Sequence, residues 1–262
     1  MNHYVKHIGK MMITMGFNPL TTFNFIKGFP GYIKDYFRFK NKIKGEKNFP
    51  FALPLPQLND KYDKSGVMSG HYFHQDLLVA GKIFQNNPEK HIDIGSRVDG
   101  FVAHVASFRE IEVFDIRKHI GSIKNIIFRQ ADLMELPEEL VDYSDSVSSL
   151  HAIEHFGLGR YGDKINPDGH LLALRNIYKI LKPGGSFYLS VPIGKQRIEF
   201  NGHRVFGLSY LMEIIKPDYE IIEFSFVDDA GDLHEKVSLI NEVITKNCNC
   251  IYGCGIFELL KK

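Results

Sequence analysis

Apolar positions along the chain change their period near residue 90. Just before it, SGHYFHQDLLVAGKIF (residues 69–84) places Tyr72, Leu77, Ala80 and Phe84 at helical spacing. From His91 onward short apolar runs alternate with helical stretches. HIDIGS predicts a strand running into a turn, and Asp99 to Phe108 a helix. EIEVFDI predicts a second strand, Asn125 to Arg129 a third that runs on into Ala131-Asp132-Leu133, and Ser144 to Leu150 a fourth. Leu171 to Leu181 is amphipathic and meets a stop at Lys182-Pro183-Gly184-Gly185. SFYLSVP, YEIIEFSFV and GIFELLK predict strands five to seven, with a helix over Gly207 to Ile215 between the first two of these. This alternation predicts an α/β fold: a doubly wound, mostly parallel seven-stranded sheet with helices on both faces.

The first 60 residues follow another pattern. Residues 1–48 read as helical pieces broken at Asn18-Pro19 and Phe29-Pro30-Gly31. FPFALPLPQLND (residues 49–60) carries three prolines in seven positions, which removes backbone donors and predicts an extended arm. The expected division is therefore a helical extension and arm, 1–60, and a main domain, 61–262.

Composition narrows the class. Apolar residues make up 44% and charged residues 24%, an ordinary globular mixture. No run of 18 apolar residues exists, and MNHYVKHIGKMM has neither an apolar core nor a cleavage pattern, so neither a membrane span nor a signal segment is expected. Cys248, Cys250 and Cys254 make a poor disulfide framework, which fits a cytoplasmic setting, and C-x-C-x3-C does not match a four-ligand zinc site. They read as structural thiols, Cys254 as a buried one. The net charge of +1 hides a bias: residues 1–50 hold nine Lys/Arg against two Asp/Glu. That predicts either a solvated basic surface or, with Phe23, Phe25, Phe29, Tyr32, Tyr36 and Phe37 beside it, a contact for an anionic membrane, a phosphate-bearing substrate or a partner. No nucleic-acid partner is expected, and oligomeric state is left open.

The first strand ends in Asp93-Ile94-Gly95-Ser96-Arg97-Val98-Asp99-Gly100, where doubly wound folds bind ligands. Gly95 allows a sharp turn and close backbone approach. Asp115, 20 residues later, closes the second strand, where a carboxylate can accept from both ribose hydroxyls. Asp132 follows the third, placed to accept from an adenine amino group. Each could instead cap a turn, but three acids at three successive strand ends outline one edge of a nucleoside pocket.

HIDIGS, EVFDIR, RQADLMELP, SSLHAIEHF and LKPGGSFYLSVP resemble the successive motifs of class I S-adenosylmethionine-dependent methyltransferases. The resemblance covers residues 65–262 and is nearest to an uncharacterised subgroup encoded with surface-polysaccharide genes. It implies that Asp93, Gly95 and Ser96 line the methionine part of the cofactor, that Asp115 holds the ribose, and that Asp132 and Leu133 hold the adenine. Arg97 stands where a glycine-rich turn is usual and could pair with the methionine carboxylate. Tyr72 and Gln75, in the preceding helix, are weaker cofactor candidates.

Methyl transfer needs an oriented acceptor and often a base. His151, Glu154 and His155 follow the fourth strand, and HxxEH spacing on a helix would put both histidines on one face. A base or orienting role is the first reading. A buried hydrogen-bonded pair is the second, and a shared metal, as in HxxEH metallohydrolases, the least favoured; Asp163 and Asp168 in the next loop could serve a magnesium-like ion. VPIGKQRIEFNGHRVFG offers His203 as a further base. Arg160, Lys195, Arg197 and Arg204 suit an anionic acceptor such as a nucleotide-sugar phosphate. The leading expectation is an O-methyltransferase acting on a sugar hydroxyl, such as a heptose of a capsule or lipopolysaccharide precursor. Alternatives are a methyltransferase acting on a phosphate or phosphoramidate group, a non-catalytic nucleoside-binding module, and an HxxEH metallohydrolase.

Overall fold

The structure, a computed structural model, describes residues 9, 12–44, 49–62, 66–136 and 138–262. Most of MNHYVKHIGKMM, the segment read for a signal sequence, lies outside the described residues, as do Lys6, Lys10 and Lys47 of the basic run. The chain divides into two compact units, Met1–Val67 and Met68–Lys262. Among the described residues no helix is long and apolar enough to cross a membrane.

In the first unit, α1 spans Pro19–Lys42. Asn18 caps it by accepting from Leu20 N and Thr21 N at 3.1 and 3.4 Å, with Pro19 as the first helical residue. The helix runs through Pro30, contrary to the expected break. An interior proline costs about 3 kcal/mol. Across it, Phe25–Phe29, Phe29–Tyr32 and Tyr32–Tyr36 ring pairs form a continuous ladder with centroids 6.1–6.4 Å apart, contacts on the side of helix formation. The proline-rich arm is extended without pairing as a strand, and Phe51 meets Tyr36 and Phe39 of α1.

The second unit is built on an eight-stranded sheet of order β3-β2-β1-β4-β5-β10-β8-β9. Its strands are β1 (His91–Ile94), β2 (Ile111–Asp115), β3 (Ile126–Gln130), β4 (Ser144–Leu150), β5 (Leu181–Ile193), β8 (Tyr219–Val227), the two-residue β9 (Leu233–His234) and β10 (Gly253–Lys261). β6 (Arg197–Glu199) and β7 (His203–Val205) form a separate hairpin. The mostly parallel, doubly wound sheet is as expected, with β9 and the hairpin as additions. β10 runs antiparallel to both its neighbours, β5 and β8.

The helices are α2 (His71–Asn86), α3 (Ala103–Ala106), α4 (Gly169–Ile180), α5 (Leu208–Ile215) and α6 (Asn241–Thr245). One core joins α2 and α3 to the sheet through Val79, Ile83, Phe101, Val105, Val113 and Ile256. The other joins α4 and α5 to Ile92, Phe114, Val147, Phe187 and Leu189. The predicted helix over Asp99–Phe108 is broken: a π-helical turn covers Val98–Val102, with Gly100 at φ −125° and ψ −105°, ahead of the short α3. A Cβ on Gly100 would stand 2.6 Å from an Asp76 carboxylate oxygen.

Buried titratable residues predict how stability depends on pH. His91 fits between Ser146 Oγ and Ser148 Oγ at 2.8 and 3.1 Å, and burial pushes its pKa down to about 3. His170 is pushed down to about 4, first by burial and then by Arg204. Both take up a proton more readily when unfolded, so the stability they contribute is present above about pH 6.5 and is lost as pH falls toward their folded values. Asp93 acts oppositely: burial pushes it up to about 6, so its contribution is lost as pH rises through that value. Between about pH 6 and 4 these histidines, joined by His71, which is also pushed down to about 4 chiefly by burial, outweigh Asp93, so unfolding takes up protons over that window. The thermal midpoint followed by circular dichroism should therefore fall as pH is lowered over that window. A constant or rising midpoint would contradict this assignment of buried groups.

Candidate active site

Strand order reverses between β1 and β4, and a cleft of about 420 Å³ opens at the carboxyl ends of β1, β2, β3 and β4. The first strand supplies its floor. Gly95 has φ +71°, and a Cβ there would stand 3.0 Å from the Ala152 Cβ, so only glycine fits without displacing the β4 turn. Asp93 and Ser96, expected to line the methionine part of a cofactor, do not line the cleft. Asp93 accepts from Ser96 N at 2.9 Å and from the hydroxyls of Ser96 and Ser148 at 2.6 Å each. Ser96 Oγ in turn accepts from Leu150 N at 3.0 Å. Both residues are spent on fastening the turn to β4. Arg97 does line the cleft, paired with Asp99 at 2.8 Å and standing over the Tyr72 ring.

Asp115 and Asp132 stand on the cleft wall with Leu133. Asp115 is already engaged: Arg117 donates to it from its backbone N (2.8 Å) and from Nε (2.9 Å), and lays its guanidinium over Tyr161. Asp132 uses Oδ1 to accept from Met134 N at 2.9 Å, a turn-capping bond compatible with a second role. Tyr72 lines the cleft as well, whereas Gln75 is buried and accepts from Ser190 Oγ.

His151, Glu154 and His155 are brought together, but not on a helical face. A single 3₁₀ turn covers Ile153–His155, and His151 precedes it at φ +51°. His151 N still donates to Ser190 O at 3.0 Å, continuing the pairing with β5, and the backbone turns away directly after it. Glu154 therefore lies between the two rings: His151 Nδ1 is 2.7 Å and His155 Nε2 3.8 Å from its Oε1. Its Oε2 is buried without a hydrogen-bond partner. Burial opposes charge on both members of the His151–Glu154 pair. On His151 this is outweighed by its neighbours Cys254 and Glu154, which hold its pKa well above the ordinary value, and on Glu154 by His151, which holds the carboxylate below its own. His155 and His203 are both pushed down, chiefly by burial, and stay neutral at neutral pH. His155 Nδ1 donates to Gly202 O at 2.7 Å, which leaves Nε2 as its basic nitrogen. His203 Nε2 is 3.4 Å from Glu199 Oε2 without hydrogen-bonding geometry.

Of the four basic residues expected to bind substrate, Arg160 alone lines the cleft, donating to Gly202 O at 2.9 Å. Arg204 is buried and donates to the carbonyls of Phe156 (2.6 Å), Pro167 (3.0 Å) and Glu154 (3.4 Å), so it braces the loop. Arg197 pairs with Glu199 at 3.0 Å, and Lys195 is exposed outside the cleft. Neither proposed magnesium ligand is placed for a shared ion. Asp163 accepts from the backbone N–H groups of Gly157, Gly159 and Tyr161, and Asp168 precedes α4. Sequence reasoning missed Arg117 and Tyr252, both of which line the cleft. Arg117 carried a readable signal, two residues beyond Asp115; Tyr252 reaches the site only through tertiary structure.

A family model described as "Caenorhabditis protein of unknown function, DUF268" matches residues 103–249, more than half of the chain. The chain belongs to this family. No functionally curated protein matches the DUF268 chain in sequence. Among solved structures it is similar to the 4+2 cyclase SpnF, at 14% identity, TM-score 0.50, over 72% of this chain and 80% of that one. It is equally similar to a chain from the complex built around the Haloferax volcanii Trm112 methyltransferase activator, at 14% identity, TM-score 0.50, over 72% and 89%. A third likeness is to the Burkholderia thailandensis 1,6-didemethyltoxoflavin-N1-methyltransferase with bound S-adenosylhomocysteine, at 14% identity, TM-score 0.49, over 81% and 94%. At such identities the likeness establishes the fold, the Rossmann-like architecture of methyltransferases, and no more.

Proposed function

We propose that this DUF268 protein is an S-adenosylmethionine-dependent methyltransferase acting on a hydroxyl acceptor, with a sugar as the acceptor class. The observation that carries the reading is the pair Asp115 and Asp132, at the ends of adjacent strands, on the wall of the same cleft as Gly95. A carboxylate at the first position suits ribose hydroxyls and one at the second an adenine amino group, and a cleft of about 420 Å³ suits a ligand of nucleoside size. The cofactor supplies an electrophilic methyl group. The chain's own task is to orient the acceptor, exclude water and take the proton.

His203 and His155 fit the proton-accepting role, because both line the cleft and both are neutral at neutral pH. His151, with its elevated pKa and its bond to Glu154, fits an anchoring role better than that of a base. Tyr72, Tyr161 and Tyr252 around the cleft give apolar faces suited to a sugar ring, with Arg160 as a cation for an attached phosphate.

Calorimetric titration with S-adenosylmethionine and S-adenosylhomocysteine tests the cofactor assignment; a folded sample that binds neither at millimolar concentration would sink it. With an acceptor in hand from a panel of nucleotide sugars and glycans, His155→Ala and His203→Ala should bind cofactor normally. At least one should turn over 10²- to 10⁴-fold more slowly, the range general-base catalysis spans. Full activity in both would overturn the base assignment.

A further inference from the structure

Beside the cleft, three parts of the chain far apart in sequence converge on one point. His71 is the first residue of α2, His151 follows β4, and Cys254 is the second residue of β10. One ligating atom from each lies within 4.8 Å of the other two, and among the described residues this is the one group of three or more His, Cys, Asp or Glu arranged so. We propose that His71, His151 and Cys254 bind a single divalent transition-metal ion of the zinc class. This goes beyond methyl transfer and does not depend on it.

Three features of the geometry carry the proposal. His151 is committed at Nδ1 to the Glu154 carboxylate, 2.7 Å away, which fixes one proton there and turns Nε2 toward His71 Nδ1, 3.1 Å away, with the proton between these two nitrogens the one a metal ion would displace. A carboxylate behind a histidine on the side away from the ion is the arrangement that orients metal-bound imidazoles and raises their basicity. The two rings are stacked within 4° of parallel, a contact that restrains both imidazoles. In a tetrahedral zinc site, nitrogens at 2.0–2.1 Å and a thiolate at 2.3 Å stand about 3.3–3.8 Å from one another. The cluster meets that spacing with shifts of about 1 Å or less. Cys254 and His151 are buried, so the ion would displace little water.

The donor set of two imidazoles and one thiolate favours zinc or cobalt over magnesium or calcium, which prefer oxygen. Binding releases the Cys254 thiol proton and the proton shared by His71 and His151, while Glu154 keeps its hydrogen bond. Three protein ligands leave a fourth position for water or a substrate oxygen.

The test is to load metal-free full-length protein with zinc(II) or cobalt(II) at neutral pH and measure metal per chain. One equivalent is expected, and the cobalt form should show a thiolate-to-cobalt charge-transfer band. Cys254→Ser should abolish the band and the stoichiometric uptake. His71→Asn should lower affinity at least tenfold; it lies at a half-buried helix start, where it is tolerated should Cys254→Ser not fold. Cys248→Ser and His155→Asn should leave both readouts intact. The proposal is overturned if the folded wild type takes up neither metal. It is equally overturned if Cys254→Ser and His71→Asn bind as wild type, or if uptake follows Cys248 or His155 instead.

Discussion

Asp115→Ala should weaken binding of S-adenosylmethionine and S-adenosylhomocysteine by roughly 10- to 100-fold while leaving the fold intact. The expected loss follows from the bond type: hydrogen bonds to a charged acceptor contribute about 1.5–3 kcal/mol, and a ribose offers two donors to this carboxylate. Little stability is at stake, because Arg117, the ionic partner of Asp115, is half exposed, and such pairs contribute about 1 kcal/mol or less. The comparison with Arg117→Ala is the control. Arg117 holds the same carboxylate that a ribose would use, so removing it should leave affinity unchanged or raise it. If Asp115→Ala binds as wild type, the nucleoside pocket has been placed on the wrong carboxylate.

The second large effect belongs to Glu154. It is buried, with His151 and His155 on either side. Glu154→Ala leaves a buried cation without its counter-charge, a change that costs on the order of 3–5 kcal/mol. For a unit of this size that lowers the thermal midpoint by about 10 °C. Glu154→Gln keeps an acceptor for His151 Nδ1 and the shape of the site, and should lose about half as much. Thermal unfolding by circular dichroism of the two variants side by side decides the matter. Equal midpoints for wild type and Glu154→Ala would mean that the pair is not ionised.

Much of this architecture could be read from the sequence, and the reason is local. Strands such as HIDI and IEVFD are buried throughout because both faces are covered, and where each short run ends can be counted from the sequence. That is why Asp115 and Asp132 were found with the correct neighbours. Errors arose where a side chain's partners lie outside its own segment. Arg204 has the composition of a substrate-binding cation, yet its guanidinium is consumed by three carbonyls from residues 154–167. The HxxEH spacing suggested a helix, but His151 N is still paired to β5 and the residue stands at positive φ, so the helical spacing is never adopted. Asp93 was legible as a strand-end acid but not as one whose oxygens are taken by Ser96 and Ser148, since that requires knowing that β4 lies alongside β1. His71 and Cys254 could be joined to His151 only by knowing that β10 runs backwards, which brings its first residues, rather than its last, to the ligand edge of the sheet.

That reversed strand also constrains how the molecule is made. β10 sits between β5 and β8, yet follows both in the chain. During synthesis β8 therefore emerges before its long partner exists, with only the two-residue β9 to pair with. The open edges of β5 and β8 are exposed until β10 slides between them, and unpaired edges of this kind recruit other chains. Ribosome-bound chains held before β10 should accordingly be the state on which chaperones act. Because Tyr252, the residue before β10, stands on the cleft wall, insertion of β10 is expected to complete the cleft as it closes the sheet.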